Sequence, residues 1–263
     1  MVLKNTLIKI FLCTLASIPY PAIADNDICS DLLTLINSPS NVNSPCSVPF
    51  KKAFVELNYI NQQLPEHAGA QQNFPNTDLR IGLPSNNEFF VFPSNYIDQK
   101  SIPKSGATDN RFGLKHTINY KNNWVFALQG IANTPTGSFA YGSNHWGVTF
   151  NGIAYYEINQ LSITAQLGLS RLSDPRITGG HYFNTINPDI SLGFSPTEKI
   201  SLYVELYGQS KISATQGSGY NFDGGISFLV FPNTILNLSG GQQLHNYLGN
   251  FKHYINVGIA VMV

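Results

Sequence analysis

The chain has 263 residues, only 11% of them charged, with equal numbers of acids and bases. A soluble domain carries roughly 25% charged residues, and a balanced charge gives no footing for binding nucleic acid. Low charge with 22 Gly, 13 Tyr and 17 Phe, and no apolar run long enough for a membrane helix, suits a β-barrel that hides its hydrophobicity on alternate residues.

Residues 1–24 read as a secretory signal peptide. Lys4 and Lys9 precede or flank an apolar stretch from Ile10 to Ile18, and Ala22-Ile23-Ala24 forms an A-x-A cleavage site. Ala22 and Ala24 then mark the cut, and the mature chain starts at Asp25 with two more acids than bases. Cys13 lies too far before the cut for a lipoprotein cysteine.

Residues 25–52 are expected to form a periplasmic N-terminal segment. An even pair of cysteines in an oxidising compartment implies a Cys29–Cys46 disulfide. Between them Leu32-Leu33-Thr34-Leu35-Ile36 suggests one short helix. The segment has two readings, a plug or partner-binding knob, and a stapled leader that protects the N-terminus. Two thiols with no nearby His give no metal site.

From residue 53 to 263 the pattern is period two, the strand period. About twelve strands are expected, starting near Ala53, Thr77, Asn87, Asp109, Asn123, His145, Gln160, Tyr182, Lys199, Gly219, Thr234 and Phe251. Short connections (Pro84-Ser85-Asn86, Lys121-Asn122-Asn123, Ile158-Asn159-Gln160, Ser195 to Glu198, Phe231-Pro232-Asn233) alternate with long ones near 61–76, 93–108, 134–144, 172–183, 210–218 and 244–250. Loops sorted by length between two ends are the mark of a transmembrane antiparallel β-barrel in the outer membrane of a Gram-negative cell, with short periplasmic turns and long outer loops. Lipid leaves no unpaired backbone group tolerable, so the sheet must close. Tyr120, Trp124, Trp146 and Tyr156 take girdle positions at strand ends.

With the apolar register in lipid, the other register faces the lumen. It carries Glu56, Arg80, Glu88, Asp109, Arg111, Lys115, Glu157, Asp189, Glu205 and Asp223. Asp109, Arg111 and Lys115 make the densest stripe, read as three inward charges on one strand. Arg80, Arg111 and Lys115 are expected to bridge the acids. The set reads either as a salt-bridge network filling a narrow lumen or as a selectivity lining, with acids in excess so that cations or neutral solutes are favoured. Tyr155, Tyr203, Tyr207 and Tyr254 share that face. His116 and His253 fall on the lipid side. No nucleophile elbow, phosphate loop, dinucleotide fingerprint or metal spacing appears, so no enzyme and no cofactor is expected.

Leu79-Arg80-Ile81-Gly82-Leu83 with Asn87-Glu88, the Asp109…Gly113-Leu114-Lys115 strand, Thr134-Pro135-Thr136-Gly137 and the Cys29…Ser44-Pro45-Cys46 leader resemble the outer-membrane transporter proteins linked to the MetA pathway of phenol degradation. The resemblance runs from about Cys29 to the C-terminus. It implies a barrel passing small aromatic or other hydrophobic compounds, with Arg80, Glu88, Asp109 and Lys115 as lumen structure. One departure stands out: the chain ends in Val263, where outer-membrane barrels usually place an aromatic. The reading is an outer-membrane channel or transporter for passive uptake of small molecules. Its alternative is a structural or adhesive barrel with a closed lumen. The implied partners are outer-membrane lipid, a small-molecule solute and the barrel-assembly machinery.

Overall fold

Period-two alternation turns each strand into a surface with two chemistries, and a closed sheet gives each its own solvent. The computed structural model describes residues 27–119 and 123–263; the signal peptide, Tyr120 and most of the turn at 121–123 lie outside them. Twelve strands close the wall: β1 (Ala53–Gln63), β2 (Ala70–Leu83), β3 (Asn87–Phe92), then, after two short strands β4 (Tyr96–Gln99) and β5 (Ser105–Ala107), β6 (Arg111–Asn119), β7 (Trp124–Asn133), β8 (Gly147–Ile158), β9 (Leu161–Ser173), β10 (Tyr182–Thr197), β11 (Ile200–Gln209), β12 (Gly219–Phe231), β13 (Thr234–His245) and β14 (His253–Met262). Every neighbour is antiparallel, and β1 pairs with both β2 and β14. The seam runs from Phe54↔Met262 to Gln63↔His253. Ala53 and Val263 exchange both backbone hydrogen bonds at 2.9 Å, so Val263 takes part in closing the ring.

Eleven of the expected strand starts fall within two residues of those observed; the second does not. β2 begins at Ala70 instead of Thr77. The polar stretch 70–76 extends the β1–β2 hairpin beyond the apolar band, and a register shift opposite Tyr59 absorbs Pro75, which has no N–H for the ladder. The long connection after β3 also hides structure. β4 pairs with the outer part of β2 (Gln71↔Gln99 to Phe74↔Tyr96), and β5 pairs with β4.

The outward face carries exposed apolar side chains such as Leu114, Leu128, Phe150, Leu169, Leu192 and Ile255. The inward face is buried and largely polar, with apolar side chains such as Phe54, Phe90, Val125 and Ile235 among it. Trp124 packs on Tyr156 with ring centroids 4.7 Å apart, and Trp146 meets Phe112 edge-on at the outer rim. Tight turns need left-handed backbone, supplied by Ser85 and Asn86 (φ 61° and 56°) and by Asn159 (φ 54°). No helix among the described residues is long and apolar enough to cross a membrane. An apolar girdle around a closed sheet places the chain in the outer membrane.

Candidate functional site: the filled lumen

The N-terminal segment lies inside the barrel, beyond the periplasmic place expected for it. Cys29 and Cys46 form the disulfide. Asp31 caps a single helical turn, α1 (Leu32–Leu35), by accepting from the Leu33 N–H at 3.0 Å. Asp31 stands at the periplasmic mouth; enclosure, then the nearby Glu157 and Glu198 carboxylates, push its carboxyl above the ordinary value. Leu32, Leu33, Leu35, Cys46 and Val48 pack against Phe54, Val125, Tyr155 and Ile235 from the wall. This periplasmic half of the lumen is the protein's hydrophobic core. Burying each such side chain is worth about 1.5–3 kcal/mol.

Beside and above that core the segment is held by charge. Glu56 accepts the backbone N–H groups of Asn37 (2.9 Å) and Ser38 (2.7 Å). Glu205 accepts those of Asn41 (2.8 Å) and Val42 (2.7 Å). Glu88 accepts that of Val48 at 2.8 Å. Two consecutive N–H groups around one carboxylate form an anion-binding concavity. The cations hold carbonyls in return. Arg80 donates to the Leu35 and Cys46 carbonyls, and Lys115 donates to the Ser44 carbonyl at 3.2 Å. Where the segment leaves the lumen it runs against β2. A Cβ on Gly82 would stand 2.0 Å from the Pro49 carbonyl oxygen, so that contact needs glycine.

The site residues read from sequence divide accordingly. Glu56, Arg80, Glu88, Lys115, Glu205, Asp223 and Asp189 are buried on the inward face. Arg80 bridges Glu88 at 2.9 Å and Glu56 at 3.4 Å, and Lys115 bridges Glu88 at 3.2 Å. Arg111 points inward by register but is exposed toward the outer mouth. Its guanidinium lies 4.5 Å from the centre of the Phe92 ring instead of on an acid. Glu157, near the periplasmic mouth, accepts from the Tyr155 hydroxyl at 2.5 Å. Asp109 departs from the expectation. It precedes β6 and points into the outer loops, where its carboxylate accepts the N–H groups of Gly137 (2.7 Å) and Ser143 (2.8 Å). It fastens the 134–144 loop and is no part of an inward stripe. His116 is exposed near the β2–β3 turn, 3.0 Å from the Asn87 side-chain oxygen, and His253 is exposed at the outer end of β14.

Sequence reasoning missed Asp78, buried on β2 and accepting from the Asn37 amide at 2.7 Å. Its alternation with Arg80 was signal enough. It also missed Asn41 and Asn43, and it put Tyr203 on the inward face without seeing its partner in the segment. Asn43 donates to Gln166, and the Tyr203 hydroxyl donates to the Pro39 carbonyl at 3.0 Å. Beside the segment, toward the periplasm, a cavity of about 520 Å³ is bounded by residues that include Pro39, Tyr155, Thr164, Ser191, Tyr203 and Ser227.

A model of the family described as "Putative MetA-pathway of phenol degradation" matches residues 36–257. That span includes the lumen segment from Ile36 onward as well as the barrel. Among solved structures, the chain is similar to an outer membrane channel from Pseudomonas putida F1, with 11% identity, 86% of this chain and 100% of that chain covered, and a TM-score of 0.67. The NanC porin is similar at 9% identity, 78% and 98% coverage and a TM-score of 0.53. The KdgM porin in complex with disordered oligogalacturonate is similar at 7% identity, 78% and 98% coverage and a TM-score of 0.54. At these identities the likeness is one of fold. No curated protein sequence matches the chain.

Proposed function

Because the chain belongs to the family described as "Putative MetA-pathway of phenol degradation", we propose that it is a passive outer-membrane conduit for small molecules, aromatic and other hydrophobic compounds among them, closed in its resting form by its own N-terminal segment. The observation that carries this reading is the lumen. Beyond its apolar periplasmic core the wall is polar where an inert barrel core would be apolar, and its charged side chains hold the N-terminal segment through hydrogen bonds to the segment's backbone. A cavity of about 520 Å³ remains beside that segment, lined by Ser and Thr hydroxyls, Tyr155 and Tyr203, aliphatic side chains such as Leu32 and Leu161, and charged groups at the periplasmic mouth that include Asp31, Glu157 and Lys199. Ser, Thr and Tyr can accompany a phenol-like solute without demanding a charge. Acids outnumber bases on the inward face, which disfavours anionic solutes. The solved structures of similar fold are a channel and porins, which supports transport without catalysis as the role proposed. Insertion by the barrel-assembly machinery belongs to the same reading.

The alternative is a structural or adhesive barrel, favoured by the density of bonds that hold the segment. Swelling of liposomes containing the refolded mature protein separates the two. A conduit swells in small neutral aromatic solutes, and faster once the disulfide is reduced. A barrel that inserts yet swells in neither state is structural.

A further inference from the structure

The inward face is divided between two chemistries. Around β1–β6, Glu56, Asp78 and Glu88 stand beside Arg80 and Lys115. Around β10–β12, Asp189, Glu205 and Asp223 stand together, and none of the five strands β10–β14 contains a Lys or Arg. Glu205 and Asp223 are direct cross-strand partners, a placement in which like charges repel. The lumen segment answers part of this acidity with neutral donors. Besides its bonds to Glu205, Asn41 donates its amide to Asp223 Oδ2 at 3.2 Å, and the Tyr254 hydroxyl donates to the same oxygen at 2.6 Å. The other oxygen of Asp223 and Oδ1 of Asp189 are buried without a hydrogen-bond partner, and so is the Ser239 hydroxyl, itself 4% exposed.

Two glycines shape the surroundings. A Cβ on Gly225 would lie 2.6 Å from the Tyr203 ring and 2.8 Å from Ser239 Cβ. A Cβ on Gly241 would lie 2.3 Å from the Tyr254 ring and 2.8 Å from Asp223 Cβ. The missing side chains therefore let both rings lie close to the wall on either side of Asp223, with Ser239 beside Tyr203. Carboxylates without a cationic partner, next to aromatic rings and an unpartnered hydroxyl, match an organic ammonium, which gains from charge and from the ring faces together. A metal ion fits less well, since among the described residues no group of three His, Cys, Asp or Glu is set to hold one.

We propose that Asp189, Glu205 and Asp223, with Tyr203, Tyr254 and Ser239, form a binding station for organic ammonium compounds inside the lumen. The ammonium takes the place of the Asn41 donors, while the anchors on Arg80 and Lys115 stay made. The station rests on the conduit reading for its place on a route, but binding can be measured without conduction.

The test is calorimetric titration of the mature, disulfide-bonded protein in detergent micelles with phenyltrimethylammonium, with benzyl alcohol and benzoate as neutral and anionic controls. Saturable binding of the cation alone is expected. Asp223→Asn weakens it about tenfold, Asp223→Glu keeps it, and Asn41→Ala tightens it about threefold. Heat-modifiable gel mobility establishes that each variant is folded, and Asp189→Asn replaces Asp223→Asn if the latter is not. Absence of saturable binding overturns the station, and so does binding that the acid variants leave unchanged or that either control equals. Binding by a protein that neither conducts nor swells liposomes supports the station and sinks the conduit; conduction without binding does the reverse.

Discussion

At the scale of single residues, Arg80 carries more than any other side chain. It is fully buried, and it ties two wall carboxylates to two carbonyls of the lumen segment. Replacing it with Met keeps volume but leaves Glu56 without its cation. Breaking a buried pair from one side costs about 3–5 kcal/mol. Arg80→Met should therefore loosen the segment, seen as faster proteolysis within 34–48 while the barrel keeps its heat-modifiable mobility. Asp109 makes the opposite case. Its partners are outer-loop N–H groups, so Asp109→Ala should leave ion selectivity unchanged and open the 134–144 loop to protease. Unchanged loop cleavage together with altered selectivity would return Asp109 to the lumen. Alternation alone placed both residues on one face. It holds only while the chain is in a strand, and β6 starts two residues after Asp109.

At the scale of elements, the long strands were legible because each has a lipid face to satisfy. β9, with Leu161, Ile163, Leu167 and Leu169 all exposed, shows that demand directly. β4 and β5 have three or four residues each and no lipid to face, so no alternation announced them. The N-terminal segment was half legible. Its disulfide and short helix could be read from Cys29, Cys46 and the leucines. Its place stayed open between a plug and a stapled leader, because what docks it is mainly backbone N–H and C=O, which every residue carries and no letter records. The disulfide joins residues 17 apart in sequence, and closing such a loop is worth about 3 kcal/mol on the chain-entropy account. Cys29→Ser with Cys46→Ser should thus raise the fraction of time the segment spends undocked, measured as higher mean conductance in planar bilayers. Conductance equal to that of the parent protein would show that the wall contacts suffice.

At the scale of the whole molecule, the lumen is a core shared between a wall and a segment made before it. The acid excess was visible in the sequence, but the unequal distribution of bases appears only once the strands are arranged in a ring. Arg80 and Lys115 stand on one arc, and Asp189, Glu205 and Asp223 on another. Deleting residues 27–48 should leave a pore that favours cations over anions, read from the reversal potential in a salt gradient. A preference for anions would mean that Arg80 and Lys115, freed from the segment, dominate the field.

A ring made from one chain has a single joint with no hairpin across it, where β1 meets β14. The lumen segment reaches over that joint. It grips Glu56 and Arg80 on β1 and β2 to one side, and Glu205 and Asp223 on β11 and β12 to the other. It therefore works as an inner clasp on the hoop. Parting the seam means breaking the ladder between β1 and β14 and pulling the clasp off one arc as well. The stopper of the lumen and the lock of the wall are one piece of chain.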